Sequence, residues 1–126
     1  MTWTRPAFKW LIWLFCLALA AQFFLGGLGV FGGESLSPHR GLGSAMQVLS
    51  ILIVIVVALG PFEPKLKGMA LALVVLTVLQ SLWASESLKP MWLRSFHVFD
   101  AFLIVGLSIH MAQLAGLPMK HAEQTH

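Results

Sequence analysis

Charge is what this chain has least of. Only 10% of its 126 residues are Asp, Glu, Lys or Arg, against about a quarter in soluble domains. With 58% hydrophobic residues and a mean hydropathy of +0.84, that scarcity excludes an ordinary soluble domain and points to an integral membrane protein. Cysteine is nearly absent too. The single Cys16 allows no internal disulfide and no paired-cysteine motif, so a structural role is expected for it. There is no phosphate-binding glycine loop and no nucleophile constellation, which argues against an independent hydrolase or NTPase. Any catalysis would belong to a cofactor or a neighbour. The net charge of +3 is scattered along the chain and forms no basic stripe for nucleic acid.

Long apolar runs fill the space that charge leaves. A spanning helix needs about 20 apolar residues, and four such stretches are legible: residues 7–31, 38–59, 66–84 and 90–114. They predict an all-α, up-down-up-down bundle of four transmembrane helices in a single domain, 1–126, with a polar tail over 115–126. Strands are excluded because the runs are too long and lack the alternation of a membrane barrel. Pro38 and Pro90 suit a first helical turn, and Gly60-Pro61 and Gly116 with Pro118 suit helix ends. The first run follows Arg5 and Lys9 like a signal peptide, but it outlasts the roughly 7 to 15 residues of a signal core and ends in "GGLGVFGG", so a retained helix is expected.

Lys and Arg give the expected orientation. An inward N-terminus puts Arg5, Lys9, Lys65, Lys67 and Lys120 inside and Arg40, Lys89 and Arg94 outside, so both termini would be cytoplasmic in a bacterial inner membrane. Trp3, Trp10, Trp83 and Trp92 fall at the interfaces. The tail "KHAEQTH" carries His121 and His126, expected in water rather than as ligands.

This topology starts helices two and four on the outer side and brings two histidines to similar depth: His39, after Pro38, and His97, beside Phe96. His110 lies thirteen residues beyond His97, about 20 Å deeper. Small or polar residues recur at helical spacing around the pair, namely Gln22, Gly26, Gly29 and Gly33, then His39, Gly43, Gln47 and Ser50, then Thr77, Gln80 and Ala84, then His97, Asp100 and Ala101. Such stripes face a bundle interior. Two readings stand: close helix packing glued by buried amides and hydroxyls, or space for a flat ligand. Asp100 is a costly acid within an apolar helix, with His97 or Arg40 as candidate partners, and a structural tie competes there with proton handling.

Facing imidazoles are axial ligands for haem iron, whereas zinc would need two more ligands, with only Asp100 and Glu34 nearby. The alternative is an unrelated interfacial pair. The segments "QFFLGGLGVFGG", "PHRGLGS", "VLQSLWA" and "FHVFDAFL" resemble a family of small uncharacterised bacterial four-helix membrane proteins over nearly the whole chain, through Gln22, His39-Arg40 with Gly43, Gln80 and His97. The position of Asp100 looks more often like an amide in that family. The placement of His-Arg at the start of helix two and of His at the start of helix four is also similar to one half of haem A synthase. That resemblance implies that His39 and His97 are the metal ligands of a b-type haem or related tetrapyrrole near the outer face. Arg40 would then face a propionate, Gly26, Gly29 and Gly43 would leave room for the ring, and Asp100 would stand beside it. The expected function is electron transfer, with quinone or a larger membrane complex as partner. The rival is a cofactor-free accessory subunit of such a complex. A transporter is disfavoured, since four short helices with one interior acid offer little pathway.

Overall fold

The computed structural model describes residues 2–116; the tail carrying His121 and His126 lies outside the described residues. Four helices follow one another: α1 (Thr4–Phe31), α2 (Ser37–Leu59), α3 (Pro64–Trp83) and α4 (Phe96–Gly116). A 3-10 turn over Met91–Ser95 precedes α4. All four spans are long and apolar enough to cross a membrane, and the described residues contain no strand. The chain is a four-helix membrane bundle. Each helix packs on its chain neighbours, α4 closes the ring against α1, and the diagonal pairs α1–α3 and α2–α4 stay apart.

Pro38 and Pro64 occupy the first positions of α2 and α3, where the missing N–H costs no helical hydrogen bond. Pro90 behaves differently. It leads into the 3-10 turn, so the fourth apolar run is divided rather than one helix from its start. The turn is drawn back over the end of α3, where Arg94 Nε donates to the Ser85 carbonyl at 3.2 Å and the Phe96 ring lies 5.3 Å from Trp83 and 6.3 Å from Trp92. At the opposite end, Phe62 of the α2–α3 loop packs edge-on against Phe8 at 5.4 Å and lies beneath the Arg5 guanidinium at 5.8 Å.

The interior has two storeys. In the half nearest the N-terminus, Phe8, Ile12 and Phe15 of α1, Ile53 and Val57 of α2, Leu66, Ala70 and Leu73 of α3, and Met111 and Ala112 of α4 form a dense apolar core. That core stops at about Phe15, Met46, Leu73 and Ile104. Beyond it, glutamines, histidines and glycines line the bundle, while large apolar residues such as Phe24 and Phe102 point outward. At the boundary Ser50 and Thr77, both buried, meet at 3.1 Å, with Ser50 donating to the Gln47 carbonyl at 2.7 Å and Thr77 to the Val74 carbonyl at 2.9 Å. Gln47 extends this seam to the Thr77 carbonyl and the Ser81 hydroxyl. Thr77→Val removes one interhelical hydroxyl contact and leaves Ser50 its own carbonyl. The expected loss is about 0.6 kcal/mol, read from reversible unfolding in mixed micelles.

Candidate functional site

His39 sits in the first turn of α2, and its ring crosses to α1. Nδ1–H donates to the backbone carbonyl of Gln22 at 3.1 Å. A helical carbonyl is normally shielded by the side chain four residues on; here that residue is Gly26, and a Cβ there would stand only 3.3 Å from the imidazole. Glycine opens the carbonyl to the ring. His97 repeats the arrangement on the other side, donating Nδ1–H to the Gln80 carbonyl at 3.0 Å, with the small Ala84 four residues after Gln80. The Gln80 amide donates to His97 Nε2 at 3.3 Å. Protons on Nδ1 leave both Nε2 atoms with a lone pair. This is the tautomer of a metal-ligating histidine whose second nitrogen is fixed by a backbone carbonyl.

The two units share a backbone contact and a spacing. Gln22 and His39 are seventeen residues apart, and so are Gln80 and His97. Each glutamine lies on the first helix of a hairpin and each histidine opens the second, but Gln22 stands nine residues before the end of α1 and Gln80 three residues before the end of α3, so the likeness of the two hairpins is one of spacing. The loops share a second likeness, "ESLSP" at 34–38 and "ESLKP" at 86–90. The equal Gln-to-His spacing is a signal legible in the sequence that a helix-by-helix reading passes over. Although α2 and α4 are diagonal partners, the two rings meet between them, with centres 6.2 Å apart and planes at 70°. Two imidazoles binding one metal ion from opposite sides, at about 2 Å per metal–nitrogen bond, have ring centres about 6 Å apart.

The remaining candidates divide. At Gly26 and Gly43 the space expected for a ring is taken by side chains, the His39 imidazole 3.3 Å from where a Cβ of Gly26 would be and the Gln22 amide nitrogen 3.1 Å from where one of Gly43 would be. Gly29 serves the loop instead, its missing side chain replaced by Leu36. Arg40 is at the surface, donating to Glu86 at 3.3 Å and tying the start of α2 to the α3–α4 loop. Asp100 is 3% exposed, and neither Arg40 nor His97 bonds to it. Both its oxygens lack a hydrogen-bond partner, as do the buried Oε1 atoms of Gln22 and Gln80. Among the described residues no three His, Cys, Asp or Glu side chains converge as metal ligands. His110 is exposed, away from the pair.

Fold and site together define a small four-helix membrane protein with a histidine pair between its diagonal helices α2 and α4. The chain belongs to a family of unknown function, DUF6220, which matches residues 22–87, a stretch holding Gln22, His39, Arg40, Gln80 and Glu86. No curated protein and no solved structure matches the chain, and nothing in these comparisons links it to haem A synthase.

Proposed function

We propose that the protein is a membrane electron carrier that holds one b-type haem between His39 and His97 near the outer face. The observation that carries this reading is the pair itself: two Nδ1-protonated imidazoles, anchored identically to backbone carbonyls, with ring centres 6.2 Å apart. Paired imidazole nitrogens of this tautomer are the kind of ligand that would hold haem iron. The polar storey supports it further, since the apolar core ends before the histidines are reached. When bound, the group supplies one-electron iron chemistry. The chain's own part is to fix both rings and to exclude water with the surrounding bundle, and the Gln80 amide would have to leave His97 Nε2 for the group to bind. Membrane quinone or a larger redox complex is the partner proposed to exchange the electron.

Absorption of the protein purified from haem-replete cells tests the reading. A Soret band with sharp α and β bands on reduction is expected; a spectrum without them overturns it. One observation favours a cofactor-free accessory subunit instead: the Gln80 amide satisfies His97 Nε2 without a metal. That reading predicts no visible absorption and co-purification with a larger complex.

The proposed orientation, with both termini cytoplasmic in a bacterial inner membrane, rests on the five-to-three Lys and Arg bias. A cysteine placed at Ser85 in the α3–α4 loop should react with an impermeant maleimide added outside spheroplasts. Labelling only after lysis would reverse the topology.

A further inference from the structure

Asp100 is the single aspartate of the chain, and at 3% exposed it is shielded by the bundle from lipid as well as from water. Neither of its oxygens accepts a hydrogen bond among the described residues. The groups that could meet a negative charge there are engaged or distant. On its own helix, His97 gives Nδ1–H to the Gln80 carbonyl and takes the Gln80 amide at Nε2, and His110 is exposed. On α3 the charged side chains are Lys65 and Lys67 in its first turn, at the opposite end, and the Thr77 hydroxyl donates to the Val74 carbonyl. On α1 the titratable groups are Arg5 and Lys9 in its first turns, and Cys16. Across the ring, His39 gives Nδ1–H to the Gln22 carbonyl and Arg40 pairs with Glu86 at the surface, while Arg94 before α4 donates to the Ser85 carbonyl. A buried carboxyl with neither cation nor donor takes up a proton rather than carry a bare charge. The same storey has the complementary need, because Gln22 Oε1 and Gln80 Oε1 are buried acceptors without a donor. A carboxylate would only add acceptors, whereas a carboxylic acid brings one O–H.

We propose that Asp100 is a proton-binding site inside the bundle: at neutral pH it is held as the neutral carboxylic acid, and its hydroxyl is the donor that the buried glutamine carbonyls lack. A proton from water joins one carboxylate oxygen, one O–H bond forms, and no electron moves. Burial, the absence of a cation or donor facing the carboxyl among the described residues, and the surplus of acceptors are properties of the chain alone. The site therefore binds its proton whether or not a haem is present. Release of the proton requires a cation or a donor to enter the storey, so each chain stores one proton at this depth.

Because the chain has no other aspartate, cell-free synthesis with aspartate carrying carbon-13 in its side-chain carboxyl marks this group alone. The exposed Glu34, Glu63 and Glu86 stay unlabelled. Infrared spectra of labelled and unlabelled wild-type protein at neutral pH then test the proposal without any substitution. Most of the isotope-shifted intensity should lie in the carboxylic-acid C=O stretch above the amide I band, and it should move to lower frequency in D2O. Isotope-shifted intensity mainly in the carboxylate stretches below amide I overturns the proposal. Labelled Gln22→Leu and Gln80→Leu read the partner of the hydroxyl: removing its acceptor raises the acid C=O frequency, and a frequency unchanged in both variants overturns the donor role. An acid band in a wild-type chain without a Soret band defeats the haem reading and leaves the proton site standing. A Soret band with an ionised Asp100 does the reverse.

Discussion

Replacing His39 or His97 with alanine is expected to abolish the low-spin haem spectrum, each alone as completely as both together. A bis-imidazole centre loses its ligand field when either axial nitrogen is removed. The loss should exceed the roughly 10–100-fold reduction in metal affinity that follows removal of an outer-shell partner. His110→Ala is the control, since that ring is exposed away from the pair and its replacement should leave every band in place. The measurement is haem occupancy from Soret absorbance per polypeptide, with helicity by circular dichroism showing that the bundle remains. Equal and small effects at His39 and His110 would remove the haem reading and leave the two rings as interhelical hydrogen-bond donors. Those donors alone would matter modestly, because the average hydrogen bond between membrane helices is worth about 0.6 kcal/mol.

The second large effect is expected at Gly26. A Cβ there would meet the His39 ring at 3.3 Å through both Cε1 and Nδ1, and the rest of a leucine side chain would have to enter the same space. The ring is held by its bond to the Gln22 carbonyl on the same helix, so it cannot retreat without giving up that bond. Gly26→Leu should therefore cost about 1–3 kcal/mol of bundle stability as an overpacked substitution and displace His39, with loss of most haem binding. Gly27→Leu provides the comparison one residue away, where nothing lies within 4 Å of an added Cβ. It should be silent in both measurements. Matching losses at the two positions would show that a glycine-rich helix, rather than contact with His39, is what matters. Gly43→Leu should fall between them, because its neighbour is the movable end of the Gln22 side chain.

The class of this protein was written in its composition. Four apolar runs separated by short polar connections leave the backbone of each run only one way to satisfy its hydrogen bonds in hydrocarbon, which is a helix, so the number of spans and their up-down order follow from local sequence. The approach of His39 and His97 was also legible, because alternate helices begin on the same side and both residues stand near those beginnings. Local sequence could not say which atoms those rings would touch. The backbone carbonyls of Gln22 and Gln80 carry no side-chain signature, and their exposure depends on Gly26 and Ala84 being presented to the neighbouring helix at the right rotation. Helix rotation is set by packing of all four elements, and long-range contacts also decided the remaining assignments. Gly29 went to Leu36 because the α1–α2 loop folds back over it. Arg40 went to Glu86 because the start of α2 lies beside the connection that follows α3, which left Asp100 buried without either expected partner. Pattern along one helix records which face is polar; which polar group meets which is fixed only when the helices close around a common axis.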